Sequence, residues 1–182
     1  MHVTANSPAS FDCKEVNASP TLNTDDLTSY LNDHLAGSVG ALELIEHLAK
    51  NYPETALEGF FADLHTEVTA DQQVLRDLMR TVEVKESAVR KAGAWMMEKL
   101  GRTKLGLEKN EVRGTGLLEA LEGVVLGISG KALLWRSLAA AATRFPELNG
   151  FDYAALERRA VEQRDRVERQ RLAAAREAFV KN

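Results

Sequence analysis

The feature that most constrains the fold is a stripe of apolar residues in the segment 116–144. Its members are separated alternately by four and three residues, which is the spacing of the inward-facing side of a packed α-helix. They are Leu117, Leu121, Val124, Ile128, Lys131, Trp135, Leu138 and Ala142. A second stripe with the same spacing lies in the segment 53–82 and comprises Leu57, Phe61, Leu64, Val68, Asp71, Leu75, Leu78 and Val82. The two stripes predict two long packed helices, each with one charged residue, Lys131 or Asp71, on its inner side.

The rest of the chain is also typical of helices, and no segment alternates like a β-strand. Helices are predicted over 24–50, 53–81, 85–105, 116–144 and 153–180. Thr24 and Asp152 are candidate N-caps, and Pro53 suits the first turn of the second helix. Residues 1–23 are polar and lack periodicity, so they predict a flexible leader before one helical domain, 24–182.

The lengths of the connections predict the order of the helices. The first and second predicted helices are joined by a short turn, as are the fourth and fifth, and short turns join antiparallel neighbours. The long stretch between these two hairpins is sufficient to run the whole length of a bundle. The predicted fold is therefore an all-α four-helix bundle of two antiparallel hairpins with a long helical crossover. The alternative is a simple up-and-down array of five helices.

This arrangement of hairpin, crossover and hairpin resembles the ferritin-like superfamily. Three stretches, YLNDHLAGSVGALELIEHL, LGISGKALLWRSLAA and EQRDRVERQRLAAAREAF, are also similar to bacterial proteins assigned to that superfamily without a settled activity. The resemblance covers the chain from Asp25 to Phe179. It implies the fold and says little about the activity.

The resemblance also implies where a di-iron site would lie, with a Glu on the first and third bundle helices and Glu-x-x-His on the second and fourth. This chain departs from that pattern. Glu67 is followed three residues later by Ala70, and Glu162 by Asp165. The third bundle helix offers Lys131 near its middle, whose positive charge would repel a metal ion. We therefore expect no metal cofactor.

Counting residues from the helix ends places four polar residues at about the same height in the middle of the bundle. They are His34, Asp71, Lys131 and Gln163, with Glu67 one turn from Asp71. We expect an Asp71–Lys131 ion pair with His34 and Gln163 as hydrogen-bond partners. Three interpretations stay open for this layer: a polar network that fixes helix register, a ligand pocket or degenerate metal site, and a lysine that reaches solvent from the edge of the bundle.

Two further features have both a structural and a functional interpretation. Gly123, Gly127 and Gly130 form a stripe of small residues, which allows close helix contact or leaves space for a ligand. The cluster 95–97, Trp-Met-Met, lies in the crossover and either covers the core or contacts a second subunit, so a homodimer is possible.

Composition excludes several classes of protein. The formal net charge is −4, so there is no overall attraction to nucleic acid or to an anionic membrane surface. No apolar run reaches the roughly 18 residues of a membrane-spanning helix. The single Cys13 cannot form an internal disulfide, and together with the missing secretory signal it suggests a cytoplasmic location.

These observations predict a metal-free ferritin-like bundle with a structural or interaction role, and they identify no catalytic residue. One alternative is a ferritin-like oxidoreductase that binds Fe or Mn through an unusual ligand set, His34, Glu67, Asp71 and Glu162. The other is a bundle that binds a small molecule in a pocket lined by the glycine stripe.

Overall fold

The computed structural model describes residues 21–87 and 115–180, and within these ranges the chain is helical without any strand. Its four α-helices are α1, Thr24–Asn51; α2, Ala56–Thr81; α3, Thr115–Ala142; and α4, Tyr153–Ala178. A short 3₁₀ helix, Pro146–Leu148, lies between α3 and α4. The prediction of an all-α bundle with four long helices is confirmed. The predicted leader up to residue 20 and most of the predicted crossover helix lie outside the described residues.

Side-chain caps fix the starts of two helices. The side chain of Asp152 accepts a hydrogen bond from the Ala155 backbone N–H at 2.9 Å, which confirms the predicted N-cap of α4. At α1 the N-cap is Asn23 rather than Thr24, because Asn23 Oδ1 accepts from the backbone N–H groups of Asp25 and Asp26, each at 3.2 Å. Asn is as good an N-cap as Ser or Asp, so the helix begins one residue earlier than its predicted cap allows.

The turn between α1 and α2 differs from the prediction. Pro53 does not occupy the first turn of α2, which begins at Ala56 with Thr55 as its N-cap. Glu54 adopts a left-handed backbone conformation, φ +58°, that breaks the helical path after Pro53. Its N–H donates to the Glu58 carboxylate at 2.7 Å, which ties the turn to the first turn of α2.

Both predicted stripes face the core. The six central members of each stripe are buried, with the single exception of Lys131, which is largely buried. The largest fully buried side chains come from the first three helices and are Trp135, Phe61, Leu31, Leu35, Ile45, Leu48, Leu64, Leu78, Met79, Leu121, Leu134 and Leu138. Burial of one such side chain contributes about 1.5–3 kcal/mol, so this shared core is what holds the helices together.

The helices pack most closely in two pairs, α3 with α4 and α1 with α2, and α1 also packs against α3. Trp135 of α3 lies beside Tyr153 at the start of α4, with ring centroids 6.4 Å apart. By contrast, α2 and α4 are joined by ion pairs, Asp71 with Arg159 and Glu67 with Arg166. Among the described helices none combines the length and the apolar character that crossing a membrane requires.

Candidate functional site

Three polar side chains meet in the middle of the bundle. Lys131 Nζ donates hydrogen bonds to Asp71 Oδ2 and to Gln163 Oε1, and the first of these contacts is also an ion pair. Gln163 Nε2 donates to Asp71 Oδ2 at 3.2 Å, which closes a ring of three hydrogen bonds. The Asp71 side chain is 2% exposed and the Lys131 side chain 14%, while Gln163 is fully buried. The structure thus joins three helices through one buried polar ring.

The apolar residues on either side turn Asp71 and Lys131 inward. Val68 and Leu75 are buried on α2 one turn before and after Asp71, and Ile128 and Trp135 flank Lys131 in the same way on α3. A helix that buries both neighbours at this spacing must also turn the residue between them toward the core. A buried charge is costly unless it is paired, and the ring supplies the pairing.

A fourth residue, Arg159 of α4, completes this group, which we call the central network: Asp71, Lys131, Arg159 and Gln163. Arg159 Nη2 forms an ion pair with Asp71 Oδ1, but the contact lacks hydrogen-bond geometry. Asp71 Oδ1 and the Nε and Nη2 atoms of Arg159 are therefore buried without a hydrogen-bond partner among the described residues. Sequence reasoning missed Arg159, although it precedes Gln163 by one helical turn and so lies on the same side of α4.

The central network carries more positive than negative charge. Asp71 is its single anion, whereas Lys131 and Arg159 are both cations. Burial lowers the pKa of Lys131, and the charge and the hydrogen bond of Asp71 oppose that shift. The neighbouring Glu67 offsets the excess only in part, because its carboxylate pairs with Arg166. Burial raises the pKa of Glu67, but the Arg166 hydrogen bond and the charges of Arg166 and Lys131 bring it below its ordinary value.

A cavity of about 200 Å³ lies beside the central network, between α1, α2 and α3. Asp71 and Lys131 line it on the buried side, while two of its other lining residues, Asp33 and Gly127, are exposed and mark its mouth. The remaining lining residues are mostly small or apolar and are His34, Gly37, Ser38, Ala41, Val68, Gln72, Leu75, Ile128, Gly130, Leu134 and Trp135. The cavity therefore has apolar walls and a charged inner end.

The glycines explain why this space exists. A Cβ atom added at Gly37 or at Gly130 would meet no atom within 4 Å, so neither glycine is needed for close helix packing. Added at Gly127, it would lie 3.8 Å from Ala41 Cβ, and at Gly123 it would lie 3.5 Å from Leu44 Cδ2. The glycine stripe thus packs against α1 in one part and leaves open space at Gly130.

Polar groups on the cavity wall differ in how well they are satisfied. Gln72 Nε2 donates to Ser38 Oγ at 2.8 Å, and Gln72 Oε1 accepts from Arg76 at 2.7 Å, so this chain of side chains is paired. Trp135 Nε1 is buried and has no hydrogen-bond partner among the described residues. A buried donor without a partner costs about 1–3 kcal/mol, and a bound acceptor would remove that cost.

His34 lies on the cavity wall but outside the central network. Its ring stacks edge-on against Tyr30, with centroids 4.7 Å apart. In the described part of the chain it forms no hydrogen bond with Asp71 or Lys131, so the predicted bonding partnership is wrong. The residue count placed His34 at the correct height, and it shares the cavity with Asp71 and Lys131. Burial lowers the pKa of His34, and the nearby charge of Asp33 opposes this only in part, so the ring is neutral at pH 7.

The residues of the metal-binding alternative are not gathered around one point. Cations pair with Asp71 and Glu67, Glu162 is exposed on α4, and His34 contacts Tyr30. Within residues 21–87 and 115–180, no three His, Cys, Asp or Glu side chains lie close enough together to hold a metal ion. The arrangement has room for a small molecule between apolar walls and an inner end that carries the Asp71–Lys131 pair.

Known proteins give no further guide to this site. The chain matches no protein-family model, no curated protein and no solved structure.

Proposed function

We propose that this chain is a ferritin-like bundle that binds a small molecule in the cavity between α1, α2 and α3. The observation that carries the binding proposal is the cavity itself. It has open space at Gly37 and Gly130, an indole N–H without a partner at Trp135, and the charged pair of Asp71 and Lys131 at its inner end. Sites for small molecules are mostly apolar pockets with a few polar groups that orient the ligand, and they commonly lie between the helices of bundles.

The contacts between helices support the antiparallel hairpins. Along α3 and α4, Glu122 pairs with Arg171 and Arg136 pairs with Glu157, so residue numbers rise on one helix as they fall on the other. The α1–α2 contacts run the same way, because Asn32 accepts from Ser87 N–H after the end of α2. Farther along α1, Ser38 contacts Gln72 within α2.

The contacts between the hairpins support the long crossover. Glu67 pairs with Arg166 and Asp71 with Arg159, so α2 is antiparallel to α4. Since α3 is also antiparallel to α4, these contacts support a parallel arrangement of α2 and α3. This order of helices is the one with a single long crossover, as in ferritin-like folds.

The same contacts favour binding without a metal ion at the centre. A metal ion there would have to displace Lys131 and Arg159 from the Asp71 carboxylate, and each displaced cation would lose its partner.

The proposed location is the cytoplasm, which is supported by the single cysteine of the chain.

Fluorescence of Trp135 tests the binding proposal. The chain has two tryptophans, and the variant Trp95→Phe leaves only the one that lines the cavity. Toluene is a suitable probe, since an apolar cavity of about 150 Å³ holds one benzene molecule. We expect a saturable change in Trp135 fluorescence on titration with toluene. Gly130→Leu in the same background fills the cavity and removes the response, whereas Gly59→Leu, on the exposed side of α2, keeps it.

A fluorescence change that fails to saturate, or that persists in Gly130→Leu, would contradict binding in the cavity. Elemental analysis of the purified protein addresses the metal-binding alternative separately. Iron or manganese at one or two atoms per chain would support the oxidoreductase interpretation and overturn the metal-free one.

An interaction role is the second candidate, because α3 exposes two large apolar residues. Leu126 is 73% exposed and Leu133 is 57% exposed. They are seven residues apart, which is two helical turns, so both lie on one side of α3. Such a face favours the homodimer predicted from the sequence. Sedimentation velocity tests it: Leu126→Glu should shift a dimer to monomer, and a monomeric wild-type protein contradicts it.

A further inference from the structure

The charges around the cavity identify the chemical class of its ligand. We propose that the cavity takes a compact apolar carboxylate, whose acid group pairs with Lys131 and whose hydrocarbon part lies against the apolar walls. This inference rests on the proposed binding function and adds the ligand's charge, shape and orientation.

The charges of the central network are unevenly paired. Two cations, Lys131 and Arg159, share the one carboxylate of Asp71, and the next anion, Glu67, already pairs with Arg166. The Arg159 side chain is 43% exposed, so water screens part of its charge, whereas Lys131, only 14% exposed, shares its one counter-charge with Arg159 and is left incompletely paired. A buried charge is stable only when it is paired, so a ligand that brings one carboxylate into contact with the network balances it.

Lys131 keeps one hydrogen-bond donor for a ligand. A lysine ammonium has three N–H donors. Lys131 uses one on Asp71 and one on Gln163, which leaves one donor for a ligand in the cavity that it lines. The Nε and Nη2 donors of Arg159 are also without hydrogen bonds behind Asp71. The network can therefore accept a further anionic acceptor without breaking its internal bonds.

The cavity has apolar walls and room for an aromatic ring. Val68, Leu75, Ile128 and Leu134 supply apolar walls, and Trp135 supplies an aromatic one. A volume of about 200 Å³ is larger than the roughly 150 Å³ that hold benzene, so it leaves room for a ring with one small substituent. A benzene ring with a single carboxylate matches both the size and the division into apolar and charged ends.

Other charged or titratable groups at the cavity do not supply the missing anion. Asp33 is exposed at the mouth, where water and salt screen its charge. His34 is a half-buried neutral imidazole at pH 7 and adds no charge to either side of the balance. The neighbouring Gln72 and Ser38 are uncharged and bonded to each other. The charge that selects the ligand thus comes from Lys131 and Arg159.

Calorimetric titration with benzoate and benzamide tests the proposal on the wild-type protein at pH 7. The two probes have nearly the same shape and differ in charge. We expect benzoate to bind at least tenfold more tightly than benzamide. Lys131→Met should remove that preference and leave benzamide binding within about twofold of wild type. Arg159→Gln should weaken benzoate severalfold although it does not line the cavity, because it removes the surplus charge without changing the walls.

The outcomes separate the two proposals. Binding of benzamide or toluene without any preference for benzoate overturns the carboxylate inference and leaves the proposed function standing. Binding of none of the three probes overturns both proposals. If Lys131→Met does not fold, the comparison of the two probes on the wild-type protein and on Arg159→Gln decides the matter. A benzoate preference that is unchanged in Arg159→Gln contradicts the charge-balance argument.

Discussion

The Asp71–Lys131 pair yields the sharpest stability prediction, because removal of Asp71 leaves two cations without their carboxylate, whereas removal of Lys131 leaves Asp71 with another cation, Arg159. In Asp71→Leu, Lys131 and Arg159 both lose their carboxylate. Loss of one partner of a buried pair costs about 3–5 kcal/mol. Arg159 is 43% exposed and can turn toward water, whereas Lys131 is only 14% exposed. The cost therefore comes mainly from Lys131 and should fall at the lower end, about 3 kcal/mol.

Lys131→Met should cost less than Asp71→Leu. Asp71 keeps Arg159 as its counter-ion and keeps the hydrogen bond from Gln163, and methionine is suited to the apolar surroundings of position 131. The variant loses the two hydrogen bonds of Lys131, to Asp71 and to Gln163, but it also removes the cost of burying the Lys131 charge, so the net loss should be about 1.5–3 kcal/mol. In the double variant Asp71→Leu/Lys131→Met, the middle of the bundle becomes apolar apart from Gln163 and Arg159. The free energy of unfolding should therefore fall by no more than about 2 kcal/mol.

Urea denaturation followed by circular dichroism measures all three free energies of unfolding. For a domain of this size each kcal/mol corresponds to about 2–4 °C in Tm, so Asp71→Leu should lower Tm by about 6–12 °C. The double-mutant cycle should give a coupling energy of at least about 2 kcal/mol. Lys50→Met, which breaks the exposed Glu46–Lys50 pair, is the control and should leave the urea midpoint unchanged. Additive single effects, or single variants that melt like wild type, would refute the reasoning.

Three further predictions concern other parts of the bundle. Gly130→Ala should raise the free energy of unfolding by up to about 1 kcal/mol, because alanine favours the helix and its Cβ meets no atom within 4 Å; a lower urea midpoint would contradict this. Tyr153→Phe should lower the free energy of unfolding by about 1–3 kcal/mol, because the buried Tyr153 hydroxyl donates to the Leu148 carbonyl at 2.5 Å and its loss leaves that oxygen unpaired. An unchanged Tm would contradict the contribution of this hydrogen bond. Burial lowers the pKa of His34, so the unfolded chain binds the His34 proton more tightly than the folded chain, and the free energy of unfolding falls as the pH drops below 6.5. In His34→Gln the urea midpoint should therefore fall less between pH 7 and pH 5 than in wild type. An equal fall in the two proteins would exclude this role of His34.

Residue spacing was sufficient to predict the meeting of Asp71, Lys131 and Gln163. Asp71 and Lys131 are each the polar member of an apolar stripe, and Gln163 lies between the buried Ala160 and Val167, so the direction of each side chain follows from its buried neighbours and the connection lengths set its height. The spacing did not predict Arg159, because a long arginine reaches the core from beside the stripe rather than from within it. It also failed for the hydrogen bond of His34, since the height along a helix does not fix which way a side chain turns.

The cavity could be predicted only as one of two alternatives. A glycine that permits close helix contact and a glycine that leaves open space look the same in a sequence. The structure separates them within one stripe, since Gly123 packs against Leu44 while Gly130 faces open space. The difference depends on how far α1 and α3 stand apart at each level, which is a property of the whole packed bundle.

Arg159 also gives the central network a fixed polarity. If Asp71 and Lys131 exchanged places, the Gln163 amide could rotate by 180° and again donate to the aspartate and accept from the lysine. The three hydrogen bonds among Asp71, Lys131 and Gln163 would therefore tolerate that exchange. Arg159 would then face a lysine in place of the carboxylate with which it now pairs. Substitutions at positions 71 and 131 can thus replace the ion pair by two uncharged residues. A lysine at position 71 with an aspartate at position 131 requires Arg159 to change as well.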